Sequence, residues 1–97
     1  MPTFITLVRF TEQGLATIKD GPARLEQARA TFRAQGAELK AFYLTTGQYD
    51  AVVIAESPDD RTQAKLALAI GAGGNSRSET LRAFTEEEYR QMVGELP

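Results

Sequence analysis

Cysteine and histidine are both absent from these 97 residues, and each absence closes a set of chemistries. Without cysteine there is no disulfide framework, which accords with a reducing compartment. Without either residue, the usual structural zinc sites, haem ligation and Cys/His or Ser/His catalysis lack their ligands and bases. Chemistry falls to carboxylates, tyrosines, arginines, lysines and backbone groups, and neither metal nor cofactor is expected. No run of about 18 apolar residues occurs, so no membrane span is expected. Met1-Pro2-Thr3-Phe4 lacks the basic-then-apolar order of a secretory signal, and a cytoplasmic protein is the expectation. A basic stripe is missing too. Arg9, Arg24, Arg29, Arg33, Arg61, Arg77, Arg82 and Arg90 are scattered through a chain of net charge −2, so nucleic acid is not an expected partner.

What remains is ordinary globular composition, 42% hydrophobic and 25% charged, in a length that suits one domain (1–97) with one core. Thr3 to Phe10 is rich in β-branched and aromatic residues and predicts a strand, with Phe4, Thr6, Val8 and Phe10 on one face and Ile5, Leu7 and Arg9 on the other. After a turn at Thr11–Gly14, a short helical piece is expected over Leu15–Lys19. Asp20-Gly21-Pro22 then starts a helix running over Ala23–Gln35, which Gly36 stops. Its Leu25, Ala28 and Phe32 recur at helical spacing, while Arg24, Arg29 and Arg33 read as a solvated face.

Two further strands follow, Ala37–Leu44 and Tyr49–Glu56, joined through Thr45-Thr46-Gly47-Gln48 into a hairpin in which Gly47 supplies positive φ. Simple alternation places Glu38 and Lys40 beside Phe42 and Leu44, and Leu39 beside Ala41 and Tyr43. Ser57-Pro58-Asp59-Asp60 predicts a helix start with Ser57 as cap; that helix runs to about Ile70, with Ala64, Ala67 and Leu68 as its close-packing face. Gly71–Asn75 reads as the most flexible stretch and lacks the Lys-Ser/Thr ending of a phosphate loop. A last strand over Arg77–Thr85 leads into a capping box, Thr85 to Glu88, and a terminal helix.

The order β-α-β-β-α-β plus a C-terminal helix is the ferredoxin-like, α+β arrangement, with helices on one face of a four-stranded antiparallel sheet. The strands are apolar on both faces, so the second face is expected to be buried against another copy of the chain, giving a homodimer, with higher oligomers open through the sheet edges. The Gly47-Gln48-Tyr49-Asp50 signature resembles the one that names the GYD-domain family. Glu56–Asp60, Gly74-Asn75 and Glu79–Glu88 extend the resemblance over nearly the whole chain. It implies a dimeric α/β barrel without a settled activity. The same hairpin is similar to the turn in the amino-acid-sensing domains of leucine-responsive regulators, which implies that Gly47 and Asp50 lie near a small-molecule site.

Candidate ligand-binding residues are Gly47, Tyr49, Asp50 and Arg82. Asp50 suits either a general base with a raised pKa or an acceptor of backbone hydrogen bonds that fixes the turn. Tyr49 suits either a proton donor or half-buried packing. Arg82 in the last strand needs an anionic partner, which is either an intersubunit carboxylate (Glu38, Glu56 or Glu79) or a ligand carboxylate. The expected function is a module that binds or senses a small anionic metabolite. The alternatives are a small cofactor-independent enzyme, of oxygenase or isomerase type, and a structural adaptor.

Overall fold

Alternating apolar residues carry the first strand as expected: in a computed structural model describing Met1–Pro97, β1 spans Thr3–Phe10. It lies at the centre of one antiparallel sheet ordered β2-β3-β1-β4, where β2 is Glu38–Leu44, β3 is Ala51–Glu56 and β4 is Ser76–Ala83. Between them lie α1 (Glu12–Ala16), a 3₁₀ turn (Ile18–Asp20), α2 (Gly21–Ala34) and α3 (Asp60–Gly71), with α4 (Glu86–Gly94) last. This is the ferredoxin-like α+β order. No helix is long and apolar enough to cross a membrane.

The two long helices bury their apolar faces on one side of the sheet. Phe32 and Leu66 meet Ala37, Leu39 and Ala55, and Leu25, Ala28, Phe42 and Val53 pack around them. Ala51 and Ala55 on β3 are fully buried, so small side chains let the helices approach closely. One buried polar pair sits at the edge of this core: the Ser57 hydroxyl and the Gln63 amide oxygen are 2.6 Å apart.

Several local expectations change. Ser57 does not cap α3; Asp59 does, its Oδ1 accepting from the Thr62 amide at 2.8 Å, because Ser57 is drawn inward to Gln63. The face of α3 that closes on the sheet carries Gln63 and Leu66, whereas Ala64 is exposed and Leu68 is 74% exposed. The glycine stretch before β4 is tied down. The Thr11 hydroxyl donates to Gly74 O at 2.7 Å, the Thr11 backbone amide to Asn75 O at 3.2 Å, and the Gln13 side-chain Nε2 to Gly73 O at 3.1 Å. Nor is Arg24 merely solvated, since it donates to the Thr17 carbonyl and hydroxyl and to Gly14 O.

The largest change is in β2. The register skips at Lys40, with Leu39 opposite Ala55 and Ala41 opposite Ile54. A β-bulge inserts one residue and exchanges the faces beyond it. Leu39 therefore shares the helix side with Phe42, and Glu38 shares the open side with Ala41 and Tyr43, which overturns the simple alternation.

Only ten residues are buried. The accessible surface is 6691 Å², about 1,200 Å² more than the roughly 5,500 Å² of a compact monomer of this mass. Two features supply the excess: the open face of the sheet, and α4, no residue of which is buried.

Candidate functional site

Strand pairing distributes the four candidate residues over both faces of the sheet. Register pairs Phe4 with Arg82 and Thr6 with Thr80, so Arg82 and Thr80 share the helix side with the buried Phe4. The alternate residues of β4, Arg77, Glu79 and Leu81, share the open side with Arg9, Leu7 and Ile5.

On the helix side, a cleft lies between α3 and β4. The stripe Asp60, Gln63, Ala64 and Ala67, at spacing i, i+3, i+4, i+7, faces Phe4, Thr80 and Arg82 across a cleft of about 240 Å³. Alanine side chains and the polar strand residues Thr80 and Arg82 leave the wedge unfilled. The Arg82 guanidinium lies 4.3 Å from the Phe84 ring centroid and 5.7 Å from that of Phe4, so two aromatic faces hold it. It donates to the Thr3 carbonyl at 3.3 Å and to the Ala83 carbonyl. No carboxylate of the chain lies within ion-pair distance; the four ion pairs use Arg29, Lys40 (twice) and Arg90. Arg82 is exposed at the mouth of the cleft.

The hairpin residues sit at the far end of the sheet. Gly47 adopts φ +110°, as a turn glycine should. Asp50 serves the backbone: its Oδ2 accepts from the Phe10 amide at 2.8 Å, while its own amide donates to Val8 O at 2.8 Å. Those bonds tie the turn to the end of β1, which is the turn-fixing role rather than that of a free base. Tyr49 reaches over the open side and donates its hydroxyl to Glu79 Oε2 at 3.0 Å. That hydrogen bond, with a little desolvation and the charge of Glu79, raises the phenol pKa; the Arg9 guanidinium, 4.9 Å from the ring centroid, opposes it. Arg9 also donates to Gln48 O at 3.1 Å. Leu7, Arg9, Tyr49, Arg77, Ser78 and Glu79 line a second cleft of about 350 Å³.

Tyr49 and Asp50 thus come together, and Arg82 stands apart on the other face and at the other end. Sequence reasoning missed Asp60, Gln63 and Thr80 as neighbours of Arg82. The signal available was the alternation Ser78, Thr80, Arg82, a polar row on a strand side that faces a helix.

The family model for the GYD domain matches residues 4–93. Among curated relatives, the chain is 33% identical over 85 residues to the glutamine synthetase and cystathionine beta-lyase binding protein of Thermus thermophilus, covering 87% of this chain and 90% of that one. Among solved structures it resembles a feast or famine regulatory protein from Mycobacterium tuberculosis complexed with L-methionine, with a TM-score of 0.67 and 18% identity over 88% of this chain. The chain spans about half of that regulator, 51% of its length. A second Thermus thermophilus protein matches with a TM-score of 0.56 and 22% identity, over 88% of this chain and 95% of that one. At these identities the structural likeness speaks for the fold alone. The family match over residues 4–93 and the 33% identical relative establish that the chain belongs to the GYD domain family.

Proposed function

We propose that this chain is a single GYD unit that binds a small carboxylate-bearing metabolite in the cleft between α3 and β4, with Arg82 as the anchor. One observation carries the reading: an aromatic-held guanidinium stands at the mouth of a cleft with no carboxylate of its own chain within ion-pair distance, Glu88 acting on it only through the longer-range charge interaction. Arginine is suited to bidentate recognition of a carboxylate. Asp60 and the Thr80 hydroxyl offer acceptors for an ammonium or hydroxyl group on the same molecule, so an amino acid or small hydroxy acid fits better than a plain anion. The regulator of similar fold that is complexed with L-methionine supports this ligand class. The hairpin residues Gly47, Tyr49 and Asp50 shape the opposite end of the sheet, and the unit works as a homodimer with the open sheet faces apposed.

Thermal-shift measurement with L-methionine, other L-amino acids and small dicarboxylates at millimolar concentration tests the site. Binding to the native state raises the melting temperature by mass action. Arg82→Ala should melt close to the parent without ligand and lose the ligand-induced shift. Failure of every compound to shift the parent, or an unchanged shift in Arg82→Ala, refutes the assignment.

A second reading has its own support. The 33% identical relative is named for binding two enzymes, and α4 presents Tyr89, Met92 and Val93 to solvent on a helix with no buried residue. In this reading α4 is an arm that docks on a metabolic enzyme. Titrating purified glutamine synthetase with the parent and with Met92→Asp tests it; equal binding by both, or by neither, removes α4 from the account.

A further inference from the structure

The open face of the sheet is apolar at its middle and charged at two corners. Ile5, Leu7, Val52, Ile54, Tyr43 and Leu81 form the middle, none of them buried; Tyr43 is 61% and Leu81 45% exposed. At one corner Glu38 stands directly opposite Glu56 in the β2–β3 ladder. At another, Arg9 stands directly opposite Arg77 in the β1–β4 ladder. Like charges facing each other across strands are unfavourable, and this sheet has two such pairs of opposite sign on one face.

Their positions follow from topology. Glu38 and Glu56 lie at the Thr3 end of β1 on the β2–β3 side, while Arg9 and Arg77 lie at the Phe10 end on the β1–β4 side. The pairs occupy diagonally opposite corners. Neither is neutralised within the chain. Lys40 lies 3.7 Å from both Glu38 and Glu56, leaving that corner one charge negative. Glu79 beside the arginines is engaged by the Tyr49 hydroxyl and lies beyond ion-pair distance of either, leaving that corner one charge positive.

We infer that a second copy of this chain covers the open face in one register, with the Arg9–Arg77 corner of each protomer on the Glu38–Glu56 corner of its partner. The inference rests on the homodimer proposed above and adds what selects its geometry. A two-fold axis between the sheets, perpendicular to the diagonal, exchanges the corners, so both contacts form at once in an isologous pair. The apolar middle supplies the area: the open face shares with α4 a surface excess of about 1,200 Å², set against the roughly 800 Å² per partner of a standard interface. The corners supply register, because any arrangement that sets arginines on arginines is repelled.

Charge reversal separates the possibilities. One variant carries Arg9→Glu with Arg77→Glu and has two negative corners; another carries Glu38→Arg with Glu56→Arg and has two positive corners. All four side chains are at the surface, and circular dichroism checks that each variant folds. In sedimentation velocity each variant alone should dissociate at least tenfold more readily than the parent, and an equimolar mixture should regain the dimer as a heterodimer. The single variant Arg77→Glu, with a smaller loss, serves if a double variant does not fold. Parent dimers should also weaken with rising salt. A parent dimer with variants that associate as tightly as it does, or a mixture that stays monomeric, overturns the register while leaving the homodimer standing. A parent that sediments only as a 10.6 kDa species overturns both, and neither result bears on the Arg82 cleft on the other face.

Discussion

Replacing Gly14 with alanine should destabilise the fold although alanine is the better helix former. Gly14 is buried in α1, and a Cβ built there would stand 2.0 Å from the Asn75 carbonyl oxygen and 3.0 Å from its carbonyl carbon. Carbon–oxygen contacts close at about 3.3 Å, so the two segments must part by about 1.3 Å. The obstruction is main chain, so no rotamer change relieves it. Parting them breaks a small lattice: Thr11 amide to Asn75 O at 3.2 Å, Thr11 hydroxyl to Gly74 O at 2.7 Å, and Gln13 to Gly73 O and Asn75 Oδ1 at 3.1 and 3.2 Å. Two to three hydrogen bonds at about 1 kcal/mol each, less the roughly 1 kcal/mol that alanine gains over glycine in a helix, leave a net loss of about 2 kcal/mol with strain included. For a domain of this size that lowers the melting temperature by about 8–16 °C. Gly71→Ala is the control, since a Cβ there meets nothing within 4 Å. Calorimetry showing Gly14→Ala within about 2 °C of the parent refutes the close approach and with it the anchoring of the β4 entry.

Gly47→Val should cost about 1–3 kcal/mol in chemical denaturation, all of it backbone strain at φ +110°, because a Cβ there touches nothing. Asp59 and Glu88 have lowered pKa values, each chiefly because its carboxylate accepts a backbone amide, from Thr62 and Thr85 respectively. Their stabilising contribution is therefore present above the unfolded carboxylate pKa of about 4 and is lost as pH falls through the folded values. Melting curves of Asp59→Asn with Glu88→Gln should lose less on acidification than those of the parent. The Tyr49 phenol is raised, so its contribution is complete below about pH 10 and disappears as pH rises through the folded value. Absorbance titration should show Glu79→Gln moving Tyr49 back toward an ordinary phenol, and no movement excludes the Tyr49–Glu79 hydrogen bond.

Strand and helix order was legible because each element carries its own period and its own stops. The Thr85–Glu88 capping box lies where its spacing put it, with both reciprocal bonds made. Side-chain parity in β2 was not legible. Nothing in Glu38-Leu39-Lys40-Ala41 marks the bulge, which is settled by the need to bury both Leu39 and Phe42 against helices packed from elsewhere in the chain. The capping of α3 was misjudged for a similar reason. Ser57 and Asp59 are both good caps locally, and the tertiary pairing of Ser57 with Gln63 decides between them. Gly47, Tyr49 and Asp50 were legible as a hairpin group from adjacency alone. Whether Arg82 joined them depended on strand order and register, which bring β4 beside β1 with Arg82 opposite Phe4, at the end remote from the hairpin.

The same register explains how one edge strand serves both faces. Along β4 the residues Ser78, Thr80 and Arg82 alternate with Arg77, Glu79 and Leu81, so neither side carries a continuous apolar row. On the helix side that pattern borders a cleft to which α3 contributes only Asp60, Gln63 and two alanines. On the other side, Leu81 extends the apolar middle of the sheet while Arg77 completes the basic corner with Arg9. A polar edge strand would ordinarily read as a device against edge-to-edge aggregation. On the two proposals made above, its polarity also divides the labour. The side chains suited to hold a small carboxylate point toward α3, and those suited to orient a second copy point away from it. A substitution at Arg82 and one at Arg77 should therefore affect different properties of the protein, although the two residues lie only five positions apart.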